Sequence, residues 1–104
     1  MVTRIIWTNQ ADYIFTKILE FYIERNGSKT YSRLLNYRIQ SLVKIISKQP
    51  FIGIRTNFEN VRVFTHSDYK IFYQMDNHCI IIHLIWDCRQ NPESLKLRTY
   101  DRLV

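Results

Sequence analysis

The segment CIIIHLIW, Cys79 to Trp86, restricts the possible folds of this chain more than any other stretch. It is apolar at both of the alternating faces an extended strand presents, so as a strand it belongs inside a sheet with at least one face covered. It falls far short of the about 20 residues a membrane-spanning helix needs. Just before it, Asp76 and Asn77 suit a tight hairpin. Further upstream, VRVFTH and DYKIFYQM show a period of two around a turn near Ser67 and Asp68, which predicts an antiparallel three-stranded meander. In that register Tyr69, Ile71, Tyr73 and Met75 share one face. Lys70, Phe72 and Gln74 share the other, with Lys70 beside Thr65 and turned away from any covering helices.

The cover comes from the N-terminal half. After a short strand, TRIIW, Ala11, Ile14, Phe15, Ile18, Leu19 and Tyr22 recur at helical spacing. Thr8 or Asn9 can cap this helix, and RNGS supplies a basic last turn and a glycine stop. Ser28 is placed to cap a second helix with a buried stripe of Leu35, Ile39, Leu42 and Ile46, ended by Pro50 and Gly53. Residues Phe51 to Asn60 read as loop, and Asn91 with Pro92 opens a short terminal helix, ESLKL. The expected architecture is α+β: an N-terminal strand, a helical hairpin, a three-stranded antiparallel meander and a short C-terminal tail or helix. At 104 residues it forms a single domain, 1–104.

Cys79 and Cys88 form neither a CxxC pair nor a ligand set with the histidines, so they read as reduced thiols and no metal or cofactor is expected. The N-terminus lacks the apolar core of a signal peptide, which points to a soluble, cytoplasmic, non-exported protein with no membrane contact. Fifteen Lys plus Arg against nine Asp plus Glu give a net charge of +6, which favours acidic partners. Lys29, Arg33, Arg38, Lys44 and Lys48 lie on or at the start of the second helix without one acid among them. They form either an ordinary solvated face or an electrostatic docking face.

The chain has no Gly-rich phosphate loop, HExxH or GxSxG. Any chemistry falls to Arg62, His66, Lys70, His83 and Arg89, on or beside the meander. Lys70 and Arg89 on one sheet surface can hold a phosphate backbone and stabilise charge at a scissile phosphate, with His66 or His83 moving protons. The alternative assignments are an ordinary solvent-face lysine for Lys70, a hydrogen-bonded core histidine for His83, and an Asp87 partner that fixes the strand end for Arg89.

In order and separation, WTNQA (Trp7 to Ala11), KQPFIG (Lys48 to Gly53), VRVF (Val61 to Phe64), DYKIFYQM (Asp68 to Met75) and IWDCRQNP (Ile85 to Pro92) resemble the RelE/ParE family of bacterial type II toxin-antitoxin toxins. The resemblance implies a growth-inhibiting toxin of the plasmid-stabilisation type, held inactive by a cognate antitoxin. Its target is DNA gyrase in ParE-like members and the ribosome with its mRNA in RelE-like members. Arg89 matches the arginine that stabilises the transition-state phosphate in the nucleases. Thr65 stands where a second arginine is expected, and Leu95 lies near the position of a tail aromatic. With the long hairpin and QPFIG, this implies the ParE-like branch. Alternatives are a ribosome-dependent mRNA endoribonuclease using Arg89, His66 and Lys70, or a degenerate, non-toxic RNA- or protein-binding module. Arg62, Lys70, Arg89, Lys96 and Arg98 are the candidate target-binding cations.

Overall fold

The computed structural model describes residues 4–89. The elements are β1 (Arg4–Trp7), α1 (Asn9–Asn26), α2 (Thr30–Lys48), β2 (Ile54–Arg55), β3 (Val61–His66), β4 (Tyr69–Asp76) and β5 (Cys79–Asp87). The expected tail helix ESLKL lies outside the described residues, as do Lys96, Arg98 and Thr3 of the expected first strand.

The five strands form one sheet in the order β1-β5-β4-β3-β2. β3, β4 and β5 are the antiparallel meander that the period-two pattern predicts, with Thr65 opposite Lys70 and His66 opposite Tyr69. Ser67, Asn77 and His78 take positive φ at the two hairpin turns, the backbone twist that two-residue hairpins require. β1 pairs in parallel with β5, Ile5 opposite Ile80 and Trp7 opposite Ile82, so the apolar strand is flanked on both sides. β5 is therefore interior, although β4 holds the middle position.

The helical hairpin covers one face of the sheet. Thr8 caps α1 by accepting from the Ala11 amide at 3.0 Å, and Ala11, Phe15, Ile18 and Tyr22 are buried at the expected spacing. Gly27 closes α1 in the left-handed conformation, φ 69°. α2 buries Leu35, Ile39, Leu42, Val43 and Ile46. Between the helices, the buried Ser32 hydroxyl donates to the Leu19 carbonyl at 2.6 Å. These residues meet Tyr69, Ile71, Tyr73, Ile80, Ile82 and Ile85 in the main core. A smaller cluster of Val61, Phe72, Leu84 and Trp86 forms on the opposite face.

Two expectations need correction. Ser28 is not the cap of α2. The N-cap is Lys29, already in right-handed helical conformation and with no side-chain cap, and the Arg33 amide bonds to the Lys29 carbonyl at 3.0 Å. The left-handed turn at Gly27 delivers the chain into helical geometry one residue later than the Ser28 pattern implied. Likewise 51–60 is not all loop, because Ile54 and Arg55 pair with Val63 and Arg62 as β2. Two residues are too few to show an alternating pattern.

The strap that carries β2 is tied down by Tyr73, which is fully buried. Its hydroxyl accepts from the Gly53 amide at 2.9 Å and donates to the Pro50 carbonyl at 2.8 Å. A Cβ on Gly53 would lie 2.7 Å from that hydroxyl and 2.9 Å from the Val63 carbonyl. Since neither the buried ring nor the strand backbone can yield freely, Gly53→Ala is expected to destabilise the fold by about 1–3 kcal/mol. Urea unfolding would measure this, and a cost near zero would show that the strap is not held as described.

Candidate functional site

The site is built from an irregularity in β5. Tyr73 pairs with Ile82 but Phe72 pairs with Leu84, so β5 carries one extra residue, His83, opposite that step. Ile80 and Ile82 face the hairpin, Leu84 and Trp86 face the other way, and Ile85 returns to the hairpin side. Without the bulge, strict alternation from Ile82 would have turned Asp87 away from the helices. With it, Asp87 lies opposite Tyr69 and points at α1, with 0% exposure. His83 Nε2 meets Gln74 Oε1 at 2.9 Å, and burial lowers its pKa.

Every oxygen of Asp87 has a donor. The Tyr22 hydroxyl donates to Oδ2 at 2.6 Å, and the Arg89 amide donates to Oδ1 at 2.9 Å. The Arg89 guanidinium adds an ion pair, Nε to Oδ1 at 3.5 Å, and a second with Asp68 at 3.6 Å. Its Nη2 donates to the hydroxyls of both Tyr31 and Tyr69, which are 2.9 Å from each other. The rings of Tyr22, Tyr31 and Tyr69 surround it, their centroids 5.2, 5.4 and 5.1 Å from the guanidinium carbon. Arg89 thus joins α1, α2, the β3–β4 turn, β4 and the end of β5.

Burial raises the pKa of Tyr22, and the bond to Asp87 raises it further. Burial and the bond to Tyr31 do the same for Tyr69. Burial opposes the Arg89 charge, but the Tyr31 hydroxyl, then Tyr69, Tyr22 and the Asp87 carboxylate, outweigh it, and its pKa stands above the ordinary arginine value.

Apart from His66, which lies cross-strand from Tyr69, the other expected site residues are not gathered here. Lys70 lies opposite Thr65 and Trp86, on the sheet face away from the hairpin as expected, but it does not share a sheet surface with Arg89, which the bulge in β5 brings to the hairpin side with Asp87 and Tyr69. His66 is exposed at the end of β3. Arg62 donates to the Gly53 carbonyl at 2.7 Å and lies over the Phe51 ring at 5.0 Å, so it supports the strap. It also lines a cleft of about 460 Å³ with Arg55, Phe58 and Met75, at the far edge of the sheet. His83 is bonded to Gln74 and is not poised beside Arg89. Lys96 and Arg98 lie outside the described residues.

Asp87 as the partner of Arg89 was legible in sequence, but Tyr22, Tyr31, Tyr69 and Asp68 were not. They come from four separate elements and meet only in the fold. Among the described residues no cluster of His, Cys, Asp and Glu could hold a metal ion, and no helix is long and apolar enough to cross a membrane.

A family model, the ParE toxin of the type II toxin-antitoxin system parDE, matches residues 5–92. The chain belongs to this family. The match runs from β1 through Arg89, so it includes all parts of the tyrosine-lined joint. Similar solved structures include the chromosomal ParDE TA system from P. aeruginosa, with TM-score 0.70 and 18% identity, covering 83% of this chain and 96% of that one. Another is the RelBE2 toxin-antitoxin complex from Mycobacterium tuberculosis, with TM-score 0.62 and 14% identity, covering 84% and 99%. No curated protein sequence matches. As a ParE/RelE-family toxin, the chain has the fold of both neighbours.

Tyr22→Phe would leave one oxygen of a buried carboxylate without its donor and is expected to cost about 1–3 kcal/mol of stability. The alkaline limb of stability tests the same joint. Tyr22 and Tyr69 have raised folded pKa values, so their contribution is complete below the unfolded tyrosine pKa of about 10 and is lost as pH rises above it. The thermal midpoint should fall above about pH 10, and less steeply in Tyr22→Phe. A flat profile in wild type would contradict the buried hydroxyls.

Proposed function

We propose that this toxin arrests growth by binding DNA gyrase, in the manner of the ParE-like branch, and that a cognate antitoxin neutralises it in the bacterial cytoplasm. The observation that carries this reading is the state of Arg89. Cleavage of RNA by its own 2′-hydroxyl needs a base, an acid and a cation converging within hydrogen-bond reach of one phosphate. The Arg89 guanidinium is occupied by Asp87, Asp68 and two tyrosine hydroxyls. Lys70 stands on the opposite face from Tyr69 and Asp87. Arg89 is better suited to holding the fold than to receiving a phosphate.

In this reading Lys70 presents positive charge from the sheet face away from the hairpin, Arg62 does so from β3 beside the strap, and Lys96 and Arg98 are proposed as further target-binding cations. The antitoxin is supported by the two neighbours, both parts of toxin-antitoxin systems. The net charge of +6 suits an acidic partner.

Inducing the chain alone in a bacterial host separates the mechanisms. Gyrase poisoning predicts growth arrest, DNA breaks and an SOS response with transcripts intact. Ribosome-dependent mRNA cuts that vanish in Lys70→Ala would overturn it in favour of a nuclease. Unimpaired growth would sink the toxin reading itself.

A further inference from the structure

At the β2 edge of the sheet two arginines stand side by side. Arg55 of β2 lies directly opposite Arg62 of β3, so the two share one face of the sheet. Like charges placed opposite each other repel, and among the described residues neither arginine is ion-paired. The Arg62 guanidinium is fixed by its bond to the Gly53 carbonyl and by the Phe51 ring beneath it, and its other donors are unengaged among the described residues. Both arginines line the cleft of about 460 Å³, together with Phe51, Phe58, Glu59 and Met75. The rings of Phe51 and Phe58 are 67% and 43% exposed.

The cleft is preformed. The Thr56 amide donates to the Val61 carbonyl at 3.0 Å, the Val61 amide to the Phe58 carbonyl at 3.2 Å, and the Phe58 amide to the Thr56 hydroxyl at 3.2 Å. These bonds close the loop 56–61, while Tyr73 holds Pro50 and Gly53 on either side of Phe51. A ligand entering the cleft orders little chain, which keeps the cost of binding low. The volume falls within the range of small-molecule sites, about 300–1,000 Å³. The lining selects the ligand. Two arginines without ion-pair partners suit a phosphate, which accepts from guanidinium forks. Phe58 offers a planar base a ring to stack on. Glu59 lines the same cleft and is paired with neither arginine, so an acidic peptide would meet it as a like charge. A base with an exocyclic amino group would instead donate to it.

We propose that this cleft is a nucleotide-binding site, in which Arg55 and Arg62 hold the phosphate, Phe58 stacks on the base and Glu59 accepts from its amino group. The ligand is a free nucleoside 5′-phosphate or one nucleotide of a single strand, which present the same groups. Its phosphate offsets the repulsion between the two arginines, which nothing else among the described residues offsets. The site is separate from the joint around Arg89 and does not depend on the gyrase reading.

The test is titration calorimetry of the purified full chain with adenosine 5′-monophosphate, accompanied by thermal unfolding. Wild type should bind, and its thermal midpoint should rise at millimolar ligand. Arg55→Ala removes a phosphate contact and also relieves the like-charge pair. Its affinity should fall at least about tenfold while the midpoint of the free protein holds or rises, the opposite of what a damaged fold would give. Phe58→Ala should weaken binding by about fivefold or more. Adenosine alone and inorganic phosphate alone should each bind more weakly than the nucleotide. Oligoadenylate titrated in parallel distinguishes the sources: tighter binding than the monophosphate identifies a single strand, and weaker binding a free nucleotide. No binding of either at millimolar concentration would overturn the proposal. So would an unchanged affinity in Arg55→Ala, or inorganic phosphate bound as tightly as the nucleotide. Equal binding of uridine 5′-monophosphate, whose base lacks the amino group, would overturn the role given to Glu59.

Discussion

Asp87 is a carboxylate with no exposure, and the arrangement of the molecule around it follows from the need to satisfy it. A carboxyl group taken out of water is costly unless donors meet its oxygens. Here α1 supplies the Tyr22 hydroxyl, the chain just past β5 supplies the Arg89 amide, and the Arg89 guanidinium adds its charge. Arg89 in turn needs Tyr31 of α2 and Tyr69 of β4. A single buried carboxylate therefore couples both helices to the last strand. The guanidinium side chain keeps 39% of its exposure, so its ion pairs are partly screened. Much of the joint's rigidity comes from the tyrosine rings and hydroxyls.

That coupling depends on the bulge at His83. One extra residue changes which side of β5 faces the hairpin, placing Leu84 and Trp86 in the smaller cluster and Asp87 among the helices. The same feature explains why CIIIHLIW is apolar on both faces. Ile80, Ile82 and Ile85 supply the main core, and Leu84 and Trp86 supply the other side. His83, the odd residue at the step, is partnered by Gln74.

Much of this was legible in the sequence because it depends on local period. The stripes of α1 and α2, the Thr8 cap, the Gly27 stop, the turn at Ser67 and the faces of β4 all follow from residues a few positions apart. The features that escaped depend on contacts distant in the chain. The bulge is invisible where both faces are apolar, since a shift in alternation leaves the pattern unchanged. β2 is two residues long and exists because Gly53 lets the strap approach Tyr73 closely. Three tyrosines from separate elements cannot be assigned to Arg89 by spacing.

The fold is shared with a structure of a ParDE system and one of a RelBE2 complex, and a fold alone does not fix a function, so the residues must decide. At the position where the family resemblance places a phosphate-stabilising arginine, this chain holds an arginine already engaged by its own Asp87, Asp68, Tyr31 and Tyr69. The most direct measurement is nuclear magnetic resonance of the Arg89 Nε–H. A guanidinium fixed by Asp87, Asp68, Tyr31 and Tyr69 should give a resolved, slowly exchanging signal that is unchanged by a single-stranded RNA oligonucleotide. A rapidly exchanging signal, or one that shifts as RNA is added, would show the arginine free to meet phosphate and would contradict this account.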